Sequence, residues 1–277
     1  MYGINQEKNI PAPLQYSYQE WDHYVAKLWY NLISSLHINP INTVVEVGPG
    51  GSSKIAILLF YLHFEGTVYL IEPYEPALTC AIKKYETLLP RAKIVPMPYF
   101  LSDASEKLPN HLDLVIAHHV LDDMLLASAH DPADLNNLFH WITKKELIIP
   151  DFFIQKWSSL SQDSQKLASK KQAVLETWTN FISKKNPKWT LISQYPSMVI
   201  ADHPLTASLN TEASTILYKL QSILQANCLS NRTIQAILNQ HENYNFPLIG
   251  QEVLNAKNWI TLKGDVALSI LKCNKCL

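Results

Sequence analysis

Four titratable side chains, His118, His119, Asp122 and Asp123, crowd into the stretch "AHHVLDDML". Histidine changes charge near neutral pH and can take a proton from a reacting hydroxyl. Both histidines are therefore candidate catalytic residues, with His119 preferred. The aspartates have a plainer reading, since on a helix opening after His119 they cap its first turn or face solvent. Adjacent His and Asp residues seldom converge on one ion, so no metal site is expected. A second stretch, "VVEVGPGGSSK", holds three of the chain's seven glycines at Gly48, Gly50 and Gly51. Glycine accepts φ > 0 and lets a ligand approach the backbone. The same three could also simply shape a tight turn.

These residues need elements to position them. "TVVEV" (43–47), a valine run broken only by Glu46, reads as a strand buried on both faces. A helix through "KIAILLFYLHF" follows, then a strand over "TVYLIEP" (67–73) and a helix over "PALTCAIKKYETLL". "AKIVPMPYF" reads as a third strand, held to an edge or a bulge by Pro96 and Pro98. "LDLVIAHH" (112–119) is a fourth strand, "DPADLNNLFHWI" a helix and "ELIIPDF" a fifth strand. This alternation predicts βαβ units and a parallel sheet. Further on, Leu160, Leu167, Val174, Trp178 and Phe181 predict one long amphipathic helix across 158–183. "WTLISQYPSMVIADH" reads as a strand region, "TEASTILYKLQSILQ" and "NRTIQAILNQ" as helices, and "NWITLK" as a last strand. Ahead of the first strand, "YSYQEWDHYVAKLWYNLISSL" predicts an aromatic helix with Val25, Leu28, Leu32 and Leu36 on one face. Trp29 and Tyr30 are expected to pack, whereas Tyr16, Tyr18 and Trp21 are candidate lid residues. Residues 1–40 are thus expected to cap a domain formed by 41–277.

Composition narrows the classes. Of 277 residues, 47% are apolar and 17% charged, with net charge −1, which fits a globular chain rather than a disordered one. No global basic field favours nucleic acid. Seven lysines against three acids across 151–190 form a local excess, most simply a solvated helix face. No signal peptide or membrane-length run is seen, and the four scattered cysteines suit reduced thiols and a cytoplasmic setting. The terminal Cys273-x-x-Cys276 supplies only half of a tetrahedral zinc site.

Open α/β sheets bind ligands at the carboxyl ends of their strands, where strand order reverses. Glu72 closes the second strand at a distance suited to accepting hydrogen bonds from ribose hydroxyls. Asp103 follows the third strand, where a carboxylate can accept from an exocyclic amine while the N–H of Ala104 meets a ring nitrogen. A helix cap is the alternative for Asp103.

In order, "VVEVGPGGS", "YLIEP", "SDASEKLP" and "LDLVIAHHVLDD" resemble the motifs of class I (Rossmann-like) S-adenosylmethionine-dependent methyltransferases, over residues 41 to about 150. The resemblance implies a doubly wound, seven-stranded, mostly parallel sheet with one antiparallel strand near its edge, an N-terminal helical lid and extra C-terminal helices. It implies S-adenosylmethionine as cofactor, with Glu46, Gly48, Gly50 and Gly51 forming the first motif and the glycines facing the methionine and ribose. Glu72 would hold the ribose hydroxyls, Pro73 or Tyr74 would pack on adenine, and Asp103 would bind adenine N6. The backbone at Ala117 and His118 would line the methionine side. Some members touch the cofactor carboxylate with a tyrosine before the first strand, which makes Tyr16 and Tyr18 candidates. The chain departs from the pattern at Ser52, where a third glycine is usual.

A nicotinamide-dependent oxidoreductase would also use a glycine loop and a ribose-binding acid, but Glu46 and the Asp103-Ala104 pair suit the methyltransferase better. "AHHV" at the fourth strand's exit lacks the tetrapeptide of DNA-amine methyltransferases. An RNA patch would need arginines and interleaved aromatics. The expected acceptor is a small molecule or a protein side chain. The competing function is a catalytically silent, cofactor-binding partner or scaffold.

Overall fold

Val44, Val45 and Val47 surround Glu46 in a run with no turn former, and β-branched residues favour a pleated, buried setting. In the computed structural model, which describes residues 18–51, 53–130, 134, 151–194, 204–224 and 258–263, that run is the central strand. In chain order the elements are α1 (Tyr18–Ser35), β1 (Thr43–Val47), α2 (Lys54–Tyr61), β2 (Thr67–Ile71), α3 (Glu75–Leu88), β3 (Lys93–Met97), α4 (Leu101–Lys107), β4 (Leu114–His118), α5 (Leu121–Ala129), α6 (Asp151–Gln162), α7 (Ser164–Lys185), β5 (Trp189–Gln194), α8 (Pro204–Ile223) and β6 (Asn258–Lys263). The sheet runs β3-β2-β1-β4-β5-β6. All neighbours are parallel except β6, which lies antiparallel on β5 with Trp189 opposite Lys263.

Strand order reverses between β1 and β4, which places a crevice at their carboxyl ends. Alternate residues of β1 serve opposite faces. Val44 packs with Trp29, Leu58 and Tyr85 from α1, α2 and α3. Val45 and Val47 belong to the core shared with Leu125, Trp178 and Leu217 from α5, α7 and α8. The edge position foreseen for the third strand holds, with Pro96 opposite Leu70. The last strand also appears at "NWITLK".

Among the described residues the sheet has six strands, five of them parallel. Of "ELIIPDF", Asp151 and Phe152 open α6 and the rest lies outside the described residues; the fifth described strand is Trp189–Gln194. The single helix across 158–183 is two helices. Asp163 interrupts the register because its Oδ1 accepts the N–H of Lys166 at 2.9 Å, capping α7. The α7 terminus is set by Asn186, in the left-handed region at φ 41°, with Lys184 and Lys185 in the last turn. The described part of the cap, α1, is a core element: Val25, Ala26, Trp29 and Leu32 are all fully buried. Each such apolar side chain contributes roughly 1.5–3 kcal/mol. Their packing with Val44, Leu58 and Tyr85 in one core holds α1 to the sheet. The helix foreseen over "DPADLNNLFHWI", except for Asp134 in a helix, the helix over "NRTIQAILNQ", and Cys273 and Cys276 lie outside the described residues.

Replacing the α7 cap tests the break between the two helices. Asp163→Ala should cost about 1 kcal/mol, lowering Tm by roughly 2–4 °C in calorimetry. An unchanged Tm would mean the cap does not hold the junction.

Candidate functional site

The loop after β1 turns because two glycines take φ > 0, Gly48 at 67° and Gly50 at 54°. Their surroundings differ. A Cβ on Gly48 would meet Val120 Cγ2 at 2.5 Å, so this glycine is required by the packing of the β4–α5 junction. At Gly50 and Gly51 nothing among the described residues lies within 4 Å of where a Cβ would stand, which leaves open space against the backbone. The loop is tied to the neighbouring strand through Gly48 N–H, which donates to Ile71 O at 2.9 Å.

Glu72 stands directly beyond β2 and faces this loop. Its Oε2 accepts the Gly50 N–H at 3.2 Å and its Oε1 accepts the Tyr74 N–H at 3.1 Å. A carboxylate offers about four acceptor positions, so both oxygens keep capacity for hydroxyl donors. Burial pushes Glu72 up to about 7, against the downward pull of the two N–H bonds. Pro73 beside it is exposed, while Tyr74 is buried at the start of α3.

Glu46 lies beneath the loop. It is buried on β1, its Oε2 accepting the hydroxyl of Tyr85 from α3. Burial pushes Glu46 up to about 8, opposed by the Tyr85 hydrogen bond and by nearby Lys54. Lys54 is itself buried and pushed down by burial, with Asp22 opposing. Asp22 reaches from α1 to the start of α2. Its Oδ2 accepts the Ser53 N–H at 3.1 Å and the Ser53 hydroxyl at 2.6 Å, and its Oδ1 is 3.6 Å from Lys54 Nζ.

At the exit of β4, His118 is half-buried and its Nδ1 meets Trp29 Nε1 at 3.3 Å and Ser193 Oγ at 2.9 Å. His119 is buried at φ 57°, a conformation that costs a non-glycine residue about 1–3 kcal/mol and concentrates at functional sites. Its N–H donates to Ser193 O at 2.8 Å, and its ring stacks on His118 with centroids 3.9 Å apart. Asp122 follows in the first turn of α5. Burial, then the charge of Asp123, pushes Asp122 up to about 7, with the Gln194 amide opposing. Among the described residues no group of three or more His, Cys, Asp or Glu could hold a metal ion.

No protein-family model matches the chain, and no curated protein matches it. Solved structures do. The chain is similar to the plantazolicin methyltransferase BpumL in complex with SAH, at 10% identity over 94% of this chain and 88% of that one, with a TM-score of 0.46. It is similar to the plantazolicin methyltransferase BamL with a triazolic desmethylPZN analog and SAH, at 10% identity over 95% of each chain and a TM-score of 0.46. StiE O-MT residues 961–1257 share 13% identity over 91% of this chain and 80% of that one, at a TM-score of 0.43. These likenesses are distant, and the chemistry of the site rests on the chain's own residues.

The sheet brings Gly48, Gly50, Gly51, Glu72, Pro73, His118 and His119 to one edge, the carboxyl end around β1. Asp103 is exposed in the first turn of α4, and the Ala104 N–H donates to Phe100 O at 2.9 Å. The loop residue at the exit of β3 is Phe100, 48% exposed. Tyr16 and Ser52 lie outside the described residues, and Tyr18 is described only as the first residue of α1. Sequence reasoning passed over Asp22, Ser193 and Gln194. The polar pair closing the apolar strand "WTLISQ" was the available signal for the last two, whereas Asp22 had none, being one acid on a polar helix face.

Two substitutions separate the glycine roles. Gly48→Ala should destabilise the protein more than Gly50→Ala, because only the former adds a clash to the left-handed cost of about 1–2 kcal/mol. In a Val120→Ala background the two should cost the same by denaturant unfolding, and a persistent gap would refute the clash. Glu46→Gln addresses the buried carboxyl. Between the ordinary value of 4.5 and about 8 the folded chain holds a proton that the unfolded chain releases, so stability falls as pH rises through that window. The variant should therefore gain Tm over the wild type at about pH 9 and gain none at about pH 5.

Proposed function

We propose that the chain binds S-adenosylmethionine at the carboxyl edge of its sheet and transfers the methyl group to a small molecule or a protein side chain. The observation that carries this reading is the open backbone of Gly50 and Gly51 beside a carboxylate, Glu72, that already accepts the Gly50 N–H. A carboxylate at the end of β2 with acceptor capacity to spare suits a pair of ribose hydroxyls. The exposed Pro73 and Phe100, at the exits of β2 and β3, are the apolar surfaces for an adenine ring. Asp103, exposed in the first turn of α4, is the candidate acceptor for the adenine amino group. Gly48 shapes the loop, and Glu46, two residues before it, is held by the Tyr85 hydroxyl. In this reading residues 1–40 cap the site, with Tyr16 and Tyr18 toward the cofactor's carboxylate end, and 41–277 form the cofactor-binding domain.

The cofactor, when bound, supplies an electrophilic methyl group on a sulfonium. What remains for the chain is alignment, exclusion of water and, for a hydroxyl acceptor, removal of one proton. The candidates for that role at the β4 exit are His118 and His119, and the strained φ of His119 favours the latter.

Calorimetric titration with S-adenosylhomocysteine tests the reading. The wild type should bind, and Glu72→Ala should weaken binding by at least about tenfold, the scale of losing one or two charge-assisted hydrogen bonds. Hydroxyl donors favour the ionised carboxylate, so binding should release protons near pH 7 and tighten as pH rises through the value of about 7 held by Glu72. Heats that are identical in buffers of different ionisation enthalpy would exclude Glu72 as the ribose-binding acid. No binding to the wild type would sink the cofactor assignment.

A further inference from the structure

We infer that Trp29 is a positioning residue that holds His118 in its Nε2–H tautomer, leaving His119 as the histidine able to act as base. The consequence for catalysis rests on the methyl-transfer reading, whereas the tautomer rests on geometry alone. An indole Nε1–H can only donate, never accept. In this chain it faces His118 Nδ1 at 3.3 Å. A proton on Nδ1 would set two donors head to head, so Nδ1 is bare and the ring proton lies on Nε2. Ser193 Oγ, 2.9 Å from the same nitrogen, does not reverse the choice. A hydroxyl rotates and donates to a bare Nδ1 as readily as it accepts from a protonated one.

Trp29 is also unable to turn away. Its ring is fully buried in the core beneath α1 and stands edge-on to His118, with centroids 6.0 Å apart at 73°. Neither nitrogen of His118 is then suited to abstracting a proton, since Nε2 already carries one and Nδ1 is taken up by Trp29 and Ser193. The stacked His119 benefits. A second positive ring at 3.9 Å would oppose its protonation, and a neutral His118 places none there. The indole distinguishes the two histidines: His118 keeps its proton on Nε2, and His119 is the one left to receive a proton.

The test is a nitrogen-15 correlation spectrum of the histidine rings in the free, full-length protein, with His118 assigned by loss of its signals in His118→Gln. The wild type should show a bare Nδ1 and a protonated Nε2 for His118. Trp29→Phe keeps an aromatic ring but removes the donor, and should shift His118 toward the Nδ1–H form facing Ser193. Ser193→Ala should leave the Nε2–H form in place. A wild-type Nδ1–H form, or a folded Trp29→Phe protein with an unchanged tautomer, would overturn the inference. If Trp29→Phe does not fold, the wild type and Ser193→Ala decide, and loss of the Nε2–H form in Ser193→Ala overturns it by assigning control to the serine. Titrating the wild type with S-adenosylhomocysteine keeps the two readings apart, because absence of binding removes the cofactor while the tautomer stands or falls on its own spectrum.

Discussion

Everything at the candidate site follows from the pairing of β1 between β2 and β4, both parallel to it. The chain leaves β1 toward β2 and β3, then returns to the other side for β4 and β5. A right-handed crossover can satisfy both movements only by placing helices on opposite faces, so the loops at the carboxyl edge diverge at this one strand. The glycine loop, Glu72 and the paired histidines come from three different strand exits. They meet because β1 is central, and a slip of its register by one residue would exchange Val44 and Val45 between the two cores and dissolve the meeting point.

A second regularity is the placement of buried acids. Glu46, Glu72 and Asp122 are all buried near the carboxyl ends of β1, β2 and β4, and burial pushes each toward neutrality. Groups of this kind oppose folding, and the two apolar cores on either face of the sheet outweigh that cost. Their concentration at one edge, with a left-handed histidine beside them, is a pattern of local disadvantage confined to one region. Such confinement is expected where a surface is shaped for a ligand rather than for packing.

Much of this was legible beforehand, and the reasons differ by element. β1, β2 and β4 could be read because strands buried on both faces are continuous apolar runs. Pro96 announced the edge, since it lacks the N–H an inner ladder needs. The α6–α7 break was missed because Leu160, Leu167 and Val174 keep a helical spacing across it, and Asp163 signals a cap only once the chain is seen to pause. Glycine clustering pointed to the loop, but the difference between Gly48 and Gly50 depends on Val120, 72 residues from Gly48 in sequence and invisible to any local pattern. Asp103 left two readings open because an acid followed by a small residue suits both a loop and a first helical turn. The contact of Trp29 with His118 joins residues with no sequence relation at all.

The carboxylate of Asp22 gives the N-terminal helix an unusual standing. One side chain of α1 satisfies two donors of Ser53 and lies beside the buried Lys54, so the start of α2 is completed by a different segment rather than by its own cap. Loss of α1 would leave Ser53 without its acceptor and Lys54 without the opposite charge that offsets its burial. Attachment of the first helix and completion of the start of α2 are thereby coupled through a single carboxylate.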